Sequence, residues 1–350
     1  DEKLTAFSGH FGLATSGTVS GSEKQVTLST TRLTTPVASI DLESAVLSPE
    51  KVSAGGKAGI GNLAAFSPLA GRQLDGSVAL TFEATGNPEE QAGTISLSAN
   101  GRDLVFGVEQ LDSLLEGVTT LTASAEVEGL DAIRLTTLTL KAKGIDATGQ
   151  ASMIDKDLSA DLSGTLPVLT YIHPDVSGAL AFKIGASGPL DAPDVKTEIT
   201  SSSILLAGTP LDDFRLSGDA KASATEPEGH VETSGLLNGA PLSLTADLSS
   251  ADGQATIDNL NAEVDGNRVT GMFHLSTLAR APESLSGDLT IDAPTLSALS
   301  PLVLRPIGGS LQGKLSAVAT NGNTQTVSLE LKGNSLSADG LEIGDLVANA

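Results

Sequence analysis

The sequence predicts an all-β fold, a curled antiparallel β-repeat array carrying a few short helices. Three observations predict it. Apolar and polar residues alternate with period 2 in segment after segment, turn-forming dipeptides recur at short intervals, and one helix–turn–strand pattern occurs three times within 350 residues.

The alternation is explicit in SVALTFE, where Val78, Leu80 and Phe82 point one way and Ser77, Thr81 and Glu83 the other. The same split recurs in ALAFKI (Leu180, Phe182, Ile184), DFRLSGD (Phe214, Leu216), LSLTAD (Leu242, Leu244) and TVSLELKG (Val327, Leu329). Antiparallel sheet with one solvated face produces this pattern. Between these runs stand DG, NG, SG and EG dipeptides, read as hairpin or meander connections, and a turn is expected at Pro210. Helical patterning is confined to short pieces such as NLAAFSPLAG and VEQLDSLLEGV.

Self-similarity organises the rest. NLAAFSPLAGRQLDGSVALTFEATG aligns with TLPVLTYIHPDVSGALAFKIGASG and with TLSALSPLVLRPIGGSLQGKLSAVATNG, which places Gly76, Gly178 and Gly309 at one common position. The expected organisation is one continuous array over 1–350, in approximate units 21–125, 126–249 and a truncated 250–350. At about 12 to 14 residues per strand the chain holds roughly 25 strands, too many for a flat open sheet. Curling toward the apolar face yields either a closed sandwich or an open trough, and alternation alone is compatible with both.

Composition narrows the chemistry. The 39% apolar residues are almost wholly aliphatic, with no Trp, one Tyr and eight Phe. Twenty Lys and Arg against 43 Asp and Glu give a formal charge of -23, which argues against nucleic acid as a partner. The absence of cysteine excludes disulfides, thiolate metal sites and thiol catalysis. DEKLTAFSGH lacks an initiator Met and a basic-then-apolar signal, so the sequence reads as a segment whose membrane anchor lies outside it.

No catalytic constellation emerges. GIGNLA (Gly59 to Ala64) mimics a dinucleotide fingerprint without a βαβ context, and GGSLQGKL (Gly308 to Leu315) mimics a P-loop but carries Leu315 where Ser or Thr is needed. His10, His173, His230 and His274 are scattered, and acidic pairs such as Asp212–Asp213 sit in expected turns. G-x-S-x-G and D-x-D-x-D-G motifs are absent. The expectation is a non-enzymatic protein with no cofactor and no metal.

The stretch GPLDAPDVKTEITSSSILLAGTPLDDFRLSGDA carries a G-x-L-x-x-P-x-V element from Gly188 to Val195, a β run, then G-x-P-L-x-D-F-x-L-x-G from Gly208 to Gly218. LSALSPL followed by GGSLQGKLSA is a second such element. With these the sequence resembles the TamB family, the inner-membrane subunit of the translocation and assembly module, within the wider AsmA-like group, and it resembles the middle β-repeat segment of such proteins. The resemblance implies an elongated trough with a hydrophobic interior. It would bridge the Gram-negative periplasm from an inner-membrane anchor to a BamA-like outer-membrane barrel, conveying phospholipid or assisting outer-membrane protein and autotransporter assembly. Val78, Leu80, Phe82, Leu180, Phe182, Ile184, Phe214, Leu216, Leu242, Leu244, Leu311, Leu315, Val327 and Leu329 would line the groove, contacting acyl chains or client β-strands. The alternative is a structural or adhesive extracellular protein whose repeats close into ordinary sandwiches.

Overall fold

The computed structural model describes residues 10–22, 24–129, 131–251, 253–276, 285–319 and 325–349. The N-terminal DEKLTAFSG and the Asn321-Gly322 dipeptide of the third repeat lie outside the described residues. Among the described residues the fold is all-β with three short α-helices, and the chain forms two compact units, Asp1–Ile172 and His173–Ala350.

Unit 1 is an antiparallel meander in which each strand pairs with the next. Its strands are β1 (Gly12–Ser20), β2 (Gln25–Thr34), β3 (Ala38–Leu47), β4 (Val52–Ile60) and β5 (Asp75–Asn87). They continue as β6 (Ala92–Val105), β7 (Val118–Glu128), β8 (Ala132–Lys141), β9 (Asp146–Ile154) and β10 (Asp157–Leu166). A 3-10 turn (Leu63–Phe66) and α1 (Ser67–Ala70) join β4 to β5, and α2 (Glu109–Leu114) joins β6 to β7. Asn62 opens the first of these by accepting the Ala64 N–H at 2.8 Å, and Pro68 occupies the first turn of α1, where its missing donor costs nothing.

Unit 2 repeats the plan with β11 (Val176–Gly178), β12 (Leu180–Pro189), β13 (Asp194–Leu206), β14 (Thr209–Lys221), β15 (Glu228–Leu237) and β16 (Ala240–Ala251). It ends with β17 (Gln254–Val264), β18 (Asn267–Ser276), β19 (Leu285–Ala293), β20 (Ile307–Ala319), β21 (Gln325–Ala338) and β22 (Leu341–Asn349). A 3-10 turn (Leu296–Leu299) and α3 (Ser300–Val303) precede β20. GGSLQGKL therefore lies inside β20, and GIGNLA is the turn out of β4.

The three aligned glycines share one backbone state. Gly76, Gly178 and Gly309 have φ of +98°, +117° and +95°, and a Cβ at these positions would lie 2.5, 2.8 and 2.5 Å from a carbonyl oxygen of the adjoining strand. Only glycine tolerates both conditions, which is why this residue survives while the surrounding sequence diverges. Bulges at, among others, Asp212/Arg215, Thr245/Asp247 and Ile257/Leu260 in unit 2 and Leu42/Ser44 and Leu135/Leu138 in unit 1 bend the strands and curl each sheet.

Three expectations about turns are corrected. Asn238-Gly239, Asp265-Gly266 and Asp339-Gly340 do form two-residue hairpin turns with both φ values positive, but Ser177-Gly178, Ser217-Gly218 and Ser234-Gly235 lie inside strands. Serine suits a strand's polar face, and the glycine beside it admits a neighbouring strand's backbone or side chain. Pro210 also lies within β14, paired with Leu205; the turn is Ala207-Gly208, closed by Leu206 and Thr209. Asp212 and Asp213 likewise belong to β14, at its bulge, where Asp213 takes φ +50°.

Candidate functional site

The period-2 alternation builds one aliphatic face per unit. In unit 1 the register stacks Leu42, Gly56, Phe82, Leu97, Ala123, Leu138, Gly149 and Leu162 across eight successive strands. The neighbouring row passes through Ile40, Ala58, Leu80, Ala99, Leu121, Leu140 and Ala147. Directly opposed side chains in such rows are about 5 Å apart, so each row is a continuous aliphatic track across the strands.

Unit 2 has its own track: Phe182, Ile199, Leu216, Thr233, Leu244, Ala262, Val269, Ile291, Gly313 and Leu331. Beside it, Leu289, Leu315 and Leu329 pair in sequence on β19, β20 and β21. All fourteen sequence-predicted wall residues fall on the aliphatic face of their own unit, three in unit 1 and eleven in unit 2. Twelve are half-buried; Ile184 and Val327 are exposed. The register also brings in residues that sequence reasoning left unnamed, among them Leu97, Leu138, Val231 and Ile291. Their strands carry the same alternation, as in TISLSAN around Leu97.

Burial across the face is graded. In each unit the helices and most tight turns lie at one end of the strands, and there the core is dry: Leu104, Leu115, Ala147 and Leu169 in unit 1, and Ile204, Leu211, Leu237, Val264 and Ala293 in unit 2, are all buried. Thr119 and Asn267 are buried with them, the first donating to the Leu115 carbonyl at 3.2 Å and the second to the Val264 carbonyl at 3.0 Å. Toward the opposite ends of the strands the same face opens to solvent at Val19, Leu47, Ile95 and Ile133 in unit 1 and at Leu248 and Val327 in unit 2. The chain exposes 20594 Å² in all. Two wholly separate compact domains of half its mass would together expose about 15,800 Å². Among the described residues no large side chain is less than 2% exposed, so neither aliphatic face is packed as a sealed sandwich core would be.

The other face is polar. In unit 1 it carries a hydroxyl row of Thr81, Ser98, Thr122, Thr139 and Thr148 on consecutive strands. Cross-strand ion pairs such as Arg134–Glu128 at 2.7 Å and Arg215–Glu198 stand on the exposed surface. On β15 to β17 the His230 Nδ1 meets Asp247 Oδ1 at 2.6 Å, while Asn259 donates to Asp247 Oδ2 at 2.6 Å. The hydrogen bond to Asp247 and the negative charges of Asp247, Asp219 and Glu232 hold the His230 imidazole above its ordinary value. The Asn259 and His230 hydrogen bonds hold the Asp247 carboxyl below its own. Among the described residues, no three His, Asp or Glu side chains gather as metal ligands, and no helix is long and apolar enough to cross a membrane.

The family model described as TamB, N-terminal domain, matches residues 11–235. The chain belongs to the TamB family. The TamB match runs from the residue before β1 into β15, and so spans β1 to β10 of unit 1 and the first strands of unit 2. No curated protein and no solved structure matches the chain.

Proposed function

We propose that this TamB-family segment is a non-enzymatic part of a periplasm-spanning bridge, anchored at the inner membrane and meeting a BamA-like barrel at the outer one, and that its aliphatic faces carry phospholipid acyl chains. The observation that carries this reading is the burial gradient: each face is packed dry along the helix-capped edge and half-exposed toward the other. An acyl chain on the open part gains about 0.8 kcal/mol for each methylene removed from water. Because the rows are aliphatic apart from Thr233 and a few glycines, neighbouring positions differ little in contact energy, and a chain meets no deep trap as it moves from strand to strand. Its polar headgroup stays in water beyond the open edge, since the opposite edge is closed by helices and turns. A client β-strand of an outer-membrane protein is the other cargo such a face could serve, by adding to an exposed sheet edge.

The test is extraction and mass spectrometry of material co-purifying with the chain, compared with Phe182→Asp on the aliphatic face and Ser217→Asp on the polar face. Wild type and Ser217→Asp should carry phospholipid, and Phe182→Asp should lose most of it while keeping its circular dichroism and melting temperature. A lipid-free wild type, or equal loss in both variants, would sink the conduit reading and leave the face as a packing surface.

A further inference from the structure

The polar side of unit 1 holds a depression of about 900 Å³ at the helix-capped end of its strands, between the β2–β3 turn and the turn out of β4. Its polar lining includes Ser39, Asn62, Ser77, Asn100 and Arg102. The charge of this lining runs against the rest of the molecule. The chain carries -23 overall, and three other depressions among the described residues set carboxylates beside lysines: Glu43 and Glu83 with Lys57, Asp194, Asp219, Glu228 and Asp247 with Lys196 and Lys221, and Asp292 and Glu330 with Lys314 and Lys332. No Asp or Glu lines this one, and its single formal charge is the Arg102 guanidinium, which makes no ion pair with a described residue.

The register places these groups together. Ser77 pairs with Arg102, Ala79 with Asn100 and Ser39 with Gly59, so Ser39, Ser77, Asn100 and Arg102 stand on the same polar end of β3 to β6. The Asn62 Oδ1 is already engaged with the Ala64 N–H at 2.8 Å, which leaves its amide N–H groups as donors. Nearby Asp75 has one carboxylate oxygen taken by the Gly76 N–H at 2.7 Å. The result is one guanidinium, two amides and the hydroxyls of Thr34, Thr35, Ser39 and Ser77, with Val37 and Ala65 in its apolar margin. A guanidinium with flanking neutral donors matches an oxyanion, since its fork bonds two oxygens at once. Repulsion from the remaining acidic surface is screened beyond about 8 Å at physiological ionic strength, so the nearest groups decide.

We propose that this depression binds a small molecule bearing an oxyanion, a phosphate monoester in the first place, with Arg102 as the anchoring cation. The site is independent of the aliphatic faces. The experiment is a titration of the 350-residue chain with sn-glycerol 3-phosphate, followed by amide chemical shifts and calorimetry, with inorganic phosphate and phosphatidylglycerol-containing vesicles as separate arms. Glycerol 3-phosphate should shift the amides of Ser39, Ser77, Asn100 and Arg102 saturably, and Arg102→Ala should weaken it at least tenfold at unchanged melting temperature. Lys196→Ala, in a different depression, should leave it alone. Equal affinity for inorganic phosphate makes the ligand a free anion, and Arg102-dependent vesicle flotation makes it a lipid headgroup; both retain the site. Shifts that fail to saturate, that spread over Lys183, Lys196 and Lys314, or that survive Arg102→Ala would overturn it.

Discussion

Ser67 Oγ donates to the Leu74 carbonyl at 3.1 Å and accepts the Leu74 N–H at 2.9 Å, clasping the start of α1 to the approach of β5. Ser300 makes the same two bonds to Ile307, both at 3.0 Å, at the entry to β20. The clasp turns SPL into a closing device for one edge of the sheet. Replacing Ser67 by Ala leaves a part-buried backbone N–H and carbonyl without partners, so S67A should lose about 1–2 kcal/mol in urea unfolding. S300A should lose a similar amount, and the double variant the sum, because the two clasps share no partner. A double variant no less stable than either single one would contradict this.

The burial gradient predicts unequal costs for one substitution along one face. Leu237 is 3% exposed and Leu248 43%. Leu237→Ala should cost about 2–5 kcal/mol, the range for cavity formation in a dry core, and Leu248→Ala no more than about 1 kcal/mol. Comparable losses at the two sites, measured by the same denaturant series, would mean that the face is uniformly buried.

The strap of His230, Asp247 and Asn259 predicts a pH dependence with a definite sign. His230 is held above its ordinary value, so its stabilising contribution is complete below the unfolded-state value of about 6.5 and fades as pH rises through the raised folded value. Asp247 is held below its ordinary value, so its contribution is complete above about 3.9 and fades as pH falls through the lowered one. The strap is fully formed between roughly pH 4 and 6.5. Titration of the His230 ring carbons by NMR should give a midpoint above the ordinary histidine value that drops in Asp247→Asn. A midpoint unmoved by that substitution would dissociate the two groups.

Much of the wall was legible because alternation is a local property. A residue two places from Leu80 or Phe182 must share its face whatever the strand pairs with, so parity could be assigned before any partner was known. The partners themselves were not legible. Nothing in the strings around His230, Asp247 and Asn259 links three positions 12 to 29 residues apart; the link arises from the register of β15, β16 and β17. Nor did Ser-Gly reveal itself as a strand dipeptide, because the close approach that demands glycine at Gly178 or Gly235 comes from the adjoining strand. The Arg102 depression was illegible for the same reason: its lining joins two turns to five strands.

By itself the sequence determined the all-β character, the two-sided strands, the aliphatic chemistry of one face, the threefold recurrence of the glycine pivot, and the family to which these belong. Each follows from the period of side chains along an extended backbone or from the conformational freedom of glycine, and both are read within a few residues. Only the tertiary structure decided that the aliphatic face is open instead of closed. That outcome depends, within each unit, on the described helices and most tight turns lying at one end of the strands, and on bulges curling the strands, so it is set by how distant segments stack and not by the pattern within any one of them.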